Sequence, residues 1–150
     1  MKILIQRVTH AKVEVEGTTV GTIGPGALVF IGITHDDTTK QASWLANKLI
    51  NLRIFKDSHG KINQSILDHN GEILVISQFT LYAECSEGRR PSFTKAAQPE
   101  LAKCLYEQFV EEVRKGGIVV ETGVFGAEMK ISLTNDGPVT LILEHLSSSR

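Results

Sequence analysis

Three stretches of this 150-residue chain carry residue types that are costly to keep as plain scaffold. In Ser77-Gln78-Phe79-Thr80-Leu81 an apolar strand acquires a hydroxyl, an amide and a second hydroxyl within four residues. Near a core such groups must find partners or cost ~1–3 kcal/mol each, whether a substrate or the neighbouring backbone supplies them. In Gly88-Arg89-Arg90-Pro91-Ser92-Phe93 two arginines beside a glycine can clasp phosphate with bidentate geometry, or simply sit solvated in a loop. In Asn135-Asp136-Gly137-Pro138-Val139-Thr140 the first three residues read as a hairpin turn. The Gly-Pro step that follows is less ordinary, because X-Pro is the one peptide bond for which cis is accessible, at ~5–6% of cases in folded proteins.

Familiar catalytic machinery is absent. The chain has no G-x-S-x-G elbow, P-loop, G-x-G-x-x-G or H-E-x-x-H. The histidines (His10, His35, His59, His69, His145) are scattered, and Cys85 and Cys104 form no C-x-x-C pair, so neither a metal nor a cofactor is expected. Cys85 follows the polar strand end, yet nothing near it in sequence marks a partner base. The residues alone therefore lead to an α+β domain with a polar site near 77–80.

Strands and helices must position these groups. Met1-Lys2-Ile3-Leu4-Ile5-Gln6-Arg7 reads as a strand rather than a signal peptide, because charge interrupts it. Ala11, Val13 and Val15 alternate with Lys12, Glu14 and Glu16, the period of a half-buried strand. Glu16-Gly17-Thr18 turns, 19–23 returns, and 27–33 is a continuous apolar strand buried on both faces. Asp36-Asp37 is placed to cap a helix whose stripe is Ala42, Leu45, Ala46, Leu49 and Leu52. Pro99 suits the first position of a second helix, buried through Leu101, Ala102, Leu105, Tyr106, Phe109, Val110 and Val113 and stopped by Gly116-Gly117. Residues 72–77 form a strand between the helices. Alternation from Ala127 to Thr134, the turn at 135–138 and a closing strand over 139–145 complete the chain. The expectation is one α+β domain over 1–150, with an antiparallel or mixed, barrel-like sheet and two main helices.

Bulk numbers set limits. Sixteen basic residues against seventeen acidic ones give a net charge of −1, which disfavours a protein coating duplex nucleic acid but not one gripping an RNA end through a local patch. No apolar run approaches the ~20 residues of a membrane span, so a cytoplasmic protein without membrane contact is expected.

Taken together, the three stretches resemble the D-aminoacyl-tRNA deacylase family. Ser77-Gln78-Phe79-Thr80-Leu81-Tyr82 looks like its first signature and Asn135-Asp136-Gly137-Pro138-Val139-Thr140 its second. Gln6-Arg7-Val8, Asn51-Leu52-Arg53-Ile54-Phe55, Gly60-Lys61-Ile62-Asn63, Gly88-Arg89-Arg90-Pro91-Ser92-Phe93 and 122–129 match in type and order, so the likeness covers nearly the whole chain. It implies a homodimer with active sites at the interface, each combining 77–80 of one subunit with a cis Gly137-Pro138 of the other. It implies, as substrate, a D-amino acid esterified to the 3′-adenosine of tRNA, with glycyl-tRNA also admitted, and hence chiral proofreading in translation quality control. Arg7 matches the arginine that steadies the Gly-Pro unit. Phe79 and Thr80 would offer backbone N–H groups, Gln78 and Ser77 polar contacts, Phe125 and Met129 the adenosine wall. No protein base is marked, and the family relies on the ribose 2′-hydroxyl; DNA is not expected as a partner. The loop Glu84-Cys85-Ser86-Glu87 departs from the family by being acidic. Two rivals stand beside this reading: a catalytically silent module binding tRNA ends or nucleotides, and an esterase using Cys85 or Ser77.

Overall fold

A computed structural model describes residues 1–148 and contains eight strands and two α-helices. Strand β1 (Lys2–Val15) is the axis. One edge is shared by β3 (Gly26–Gly32), paired along its first half, and β2 (Thr18–Ile23), paired along its second; β8 (Lys130–Glu144) runs along the other edge. Next to β3 lie β6 (Glu72–Ser77) and then β7 (Val119–Thr122), both parallel additions, so the sheet is mixed. It curls until β2 approaches β7: a Cβ placed on Gly21 would stand 2.7 Å from the carbonyl of Thr122. The expected α+β domain with a mixed, barrel-like sheet is what forms.

Alternation on the central strands decides the two cores. Ala27, Val29 and Ile31 of β3, with Ile73 and Val75 of β6, face helices α1 (Thr39–Asn51) and α2 (Pro99–Lys115). Leu28, Leu74 and Ile76 point the other way, into the curl, where they meet Val8, Ala11, Val13 and Ile23. Strand β3 is thus buried on both faces, as its unbroken apolar run requires. The close contact of β3 with β6 demands a glycine at its start: a Cβ on Gly26 would lie 1.8 Å from the carbonyl oxygen of Glu72.

Helix α2 begins at Pro99 and stops at Gly116-Gly117, with Gly117 at φ +90°. Helix α1 is capped differently from the expectation. Thr38, not Asp36 or Asp37, is the N-cap: its hydroxyl accepts from Lys40 N–H, and Gln41 returns to the Thr38 amide. Asp37 is buried and takes the Met1 ammonium at 2.6 Å together with the Thr34 N–H, a partner that no local pattern marks. Among the described residues no helix is long and apolar enough to cross a membrane.

The second correction concerns 135–138. The chain does not reverse there. Both halves of β8 pair antiparallel with β1, from Glu144 opposite Lys2 to Thr140 opposite Gln6, then from Asn135 opposite Val8 to Lys130 opposite Glu14. Residues 136–139 stand opposite Arg7 alone and are thrown out of the ladder as a loop. Asn-Asp-Gly serves this large bulge as readily as a hairpin, because both need the same unusual backbone.

Candidate active site

The loop 136–139 is held from below by one side chain. Ile3, Ile5 and Arg7 share a face of β1, so Arg7 is drawn inward and is only 3% exposed. Its Nη1 donates to the carbonyl of Ile54 at 2.8 Å and its Nε to the carbonyl of Asp136 at 3.2 Å. The Asp136 carboxylate stands 3.5 Å from Nε but is half exposed, so it adds little. Asn135 ties the neck: its Oδ1 accepts from Val139 N–H at 3.2 Å, and its Nδ2 donates to Thr140 Oγ1 at 2.7 Å. Gly137 sits at φ +125°, and a Cβ there would press on an Arg7 guanidinium nitrogen at 2.9 Å. Position 137 therefore requires glycine. The Gly137–Pro138 peptide bond is cis, and both residues are exposed at the tip.

A second feature lies elsewhere on the chain. Strand β6 ends at Ser77 and runs into a short 3-10 helix, Phe79–Tyr82. Gln78 N–H donates to the carbonyl of Ile31, and Leu81 N–H returns to the carbonyl of Gln78. Between them the N–H groups of Phe79 and Thr80 are first-turn donors that the helix leaves without backbone partners. The Gln78 side-chain amide donates to Thr80 Oγ1. Ser77, Gln78 and Phe79 line a cleft of about 570 Å³, walled by Phe93, Phe125 and Met129 and closed by the start of α2 at Gln98 and Pro99. Phe79 and Phe93 meet edge to face with centroids 5.2 Å apart, and both remain largely exposed.

The expected residues thus form two groups. Ser77, Gln78, Phe79, Phe125 and Met129 share the cleft, with Thr80 exposed beside it. Arg7, Gly137 and Pro138 share the loop and do not line that cleft. Three contributors were not singled out from sequence: Phe93, whose ring completes the aromatic wall; Asn135, which reads as a turn residue; and the Ile54 carbonyl, which leaves no trace in residue type. The proline at the first turn of α2 was a usable signal that the helix N-terminus opens at a boundary, and it does open on the cleft.

Beside the cleft, residues 84–92 make a loop closed by reciprocal hydrogen bonds between Glu84 and Ser92. The Ser86 hydrogen bond and the Lys95 ammonium at 2.9 Å hold the Glu84 carboxyl down at about 2. Lys95 thus offsets one of the acidic charges in the loop that carries Arg89 and Arg90. Cys85 and Cys104 are free and exposed. Among the described residues no three of His, Cys, Asp and Glu gather as a metal site.

Comparison with known proteins decides the family. The description "D-Tyr-tRNA(Tyr) deacylase" matches residues 4–144. The chain belongs to that family. Proteins named D-aminoacyl-tRNA deacylase are similar along their length: that of Bacillus velezensis is 56% identical, over 96% of this chain and 98% of the relative, and that of Geotalea uraniireducens 58% identical, over 96% and 93%. Among solved structures, one described as c-Myc DNA Unwinding Element Binding Protein is 41% identical with a TM-score of 0.91, covering 98% of this chain and all of the other. One described as a probable eukaryotic D-amino acid tRNA deacylase is 20% identical with a TM-score of 0.81, over 95% and 97%, and shares the fold.

Proposed function

We propose that this D-aminoacyl-tRNA deacylase hydrolyses the ester between a D-amino acid and the 3′-terminal adenosine of tRNA, at sites each assembled from two copies of the chain. Family membership over nearly the full length carries the activity. What supports the shared site is that the cleft, lined by Ser77, Gln78 and Phe79, does not include the loop of its own chain, whose Gly137-Pro138 tip is exposed. Strand β8 has β1 on one side and, among the described residues, no strand on the other, and it exposes Leu141 and Ile142. An isologous contact across this region would cover that apolar surface and carry each tip to the partner's cleft.

In this arrangement Phe79, Phe93, Phe125 and Met129 receive the adenosine by stacking and apolar contact. The Gly137-Pro138 backbone of the partner accepts from the substrate ammonium, while its bulk fills the space an L side chain needs. Selection falls on atoms common to every amino acid, because a fitted side-chain pocket discriminates by only ~1–3 kcal/mol per methylene and would serve one residue. Achiral glycine passes the same filter. Water adds to the ester carbonyl; the Phe79 and Thr80 N–H groups stabilise the developing oxyanion, each worth ~3–4 kcal/mol when well placed. Collapse expels the ribose 3′-oxygen and leaves the amino acid carboxylate. Gln78 orients the Thr80 hydroxyl beside the substrate, and the ribose 2′-hydroxyl positions the water. The reaction takes place where tRNA is charged, in the cytoplasm, and needs no cofactor.

Paired assays with D- and L-tyrosyl-tRNA test this reading. The expected result is rapid release of D-tyrosine with the L-ester spared, and a sharp fall in rate when the terminal residue is 2′-deoxyadenosine. Equal cleavage of both enantiomers removes the chiral filter, and no cleavage leaves the silent tRNA-end module. Loss of activity in Cys85→Ala would reinstate the thiol esterase.

A further inference from the structure

The side chains of the two-stranded ribbon at 53–64 play no part in the chemistry above, yet their charge is distinctive. The ribbon holds Arg53, Lys56 and Lys61 against a single acid, Asp57, in a chain whose net charge is −1. Strands β4 (Phe55–Lys56) and β5 (Ile62–Gln64) pair antiparallel. Asp57 is occupied by the turn itself, its Oδ1 accepting from His59 N–H at 2.9 Å and Lys61 N–H at 3.0 Å. All three cations are exposed, and among the described residues none stands within ion-pair distance of a carboxylate. Arg53 has only the Asn63 amide oxygen at 3.4 Å. Three exposed, unpaired cations on one hairpin form an anion-facing surface rather than a structural ion-pair network.

Its attachment gives that surface a direction. Phe55 is buried and stacks on His69 at 4.9 Å, anchoring the ribbon to the core. The preceding carbonyl, that of Ile54, is the one held by Arg7 Nη1, while Arg7 Nε holds the carbonyl of Asp136. One buried guanidinium therefore fastens the root of the ribbon and the root of the Gly137-Pro138 loop together. Wherever the loop is inserted, the ribbon goes with it.

We infer that residues 53–64 grip the sugar-phosphate backbone of the single-stranded 3′ segment of the RNA as it enters the partner's cleft, an inference that rests on the shared site proposed above. The chemistry fits: long flexible cations neutralise phosphates without reading sequence, as a surface that must accept many tRNAs requires. Arg89 and Arg90 lie exposed in the 84–92 loop, which leads directly into Phe93 of the cleft wall, so the strand would meet cations from both copies.

The test uses the full-length protein with Arg53→Gln/Lys56→Gln/Lys61→Gln, beside a charge-keeping Lys56→Arg/Lys61→Arg variant. Two substrates are compared: D-tyrosyl-tRNA, and the adenosine ester of D-tyrosine, which has no upstream phosphate. Binding of fluorescent uncharged tRNA is followed separately by anisotropy. Neutralising three contacts on single-stranded RNA is expected to lower the slope of log affinity against log salt by about 2, and to weaken tRNA binding roughly 10- to 100-fold at about 0.1 M salt. The adenosine ester should turn over as before, and the arginine variant should bind normally. Unchanged tRNA affinity overturns the inference. So does an equal loss on both substrates, which would make the ribbon a support of the site, and so does dissociation of the dimer on gel filtration, which would make it a subunit contact. If the parent protein spares both enantiomers of tyrosyl-tRNA, the deacylase mechanism falls while the anisotropy still decides the ribbon.

Discussion

Replacing Arg7 should separate the two jobs its guanidinium performs. The Ile54 carbonyl lies on a residue only 7% exposed and receives Nη1 at 2.8 Å; stripping a buried carbonyl of a charged donor costs about 2–3 kcal/mol. The Asp136 carbonyl sits on an exposed residue, where water replaces Nε at a cost of about 0–1 kcal/mol. The ion pair to the half-exposed Asp136 carboxylate is screened and contributes under ~1 kcal/mol. Arg7→Ala should therefore lose about 3–4 kcal/mol, near 6–16 °C in Tm at this length. Asp136→Ala should lose under ~1 kcal/mol. Arg7→Lys should fall between, because one ammonium cannot span both carbonyls with the fork of a guanidinium. Urea unfolding at matched protomer concentration measures stability, since the midpoint of the proposed dimer would depend on concentration. Deacylation of D-tyrosyl-tRNA, at a temperature where every variant is folded, measures function. A tip displaced by about 1 Å should cost on the order of 100-fold in kcat/KM. Arg7→Ala within 1 kcal/mol of the parent, or Asp136→Ala more damaging than Arg7→Ala, would show that the Ile54 carbonyl does not depend on the guanidinium.

Other outcomes follow from the same geometry. Gly26→Ala places a methyl 1.8 Å from the Glu72 carbonyl and should cost at least about 3 kcal/mol by forcing β3 from β6, read as a fall in urea midpoint; a neutral result would mean that the register at Gly26 and Glu72 is wrong. The two tyrosines are both shifted upward by burial, Tyr106 to about 12 and Tyr82 further. A raised folded value gives stability that is complete below the ordinary pH 10 and is lost as pH climbs toward 12, so phenolate absorbance should appear together with loss of far-ultraviolet dichroism. A tyrosine titrating near pH 10 in the folded state would show that the burial is overstated.

Much of the architecture is legible because burial is periodic. The unbroken apolar run of β3, the stripe on α1 and the Pro-to-Gly span of α2 each state their own environment. Local patterns mislead where a distant partner decides. Asp37 looks like a cap and serves instead as counter-ion to a terminus 36 residues away. Asn135-Asp136-Gly137 looks like a reversal and forms a bulge, because both flanks keep the same partner strand. The polar cluster at 77–80 announces itself by chemistry, and the phenylalanine wall at position 93 does not, since an apolar ring near a loop reads as packing. Arg7 is the instructive case: its neighbours place it on an inward face, yet only the Ile54 and Asp136 carbonyls explain why a charge can live there.

Mixed dimers give the most direct test of a site built from two copies. One variant carries a disabled tip, Gly137→Ala/Pro138→Ala; the other carries a disabled cleft, Gln78→Ala/Thr80→Ala. Each alone should be inactive on D-tyrosyl-tRNA. Unfolded and refolded together in equal amounts, half of the dimers are mixed, and each of these owns one intact cleft facing one intact tip. Activity should recover to about a quarter of the parent rate. No recovery, with mixed dimers shown to form, would contradict a site built this way.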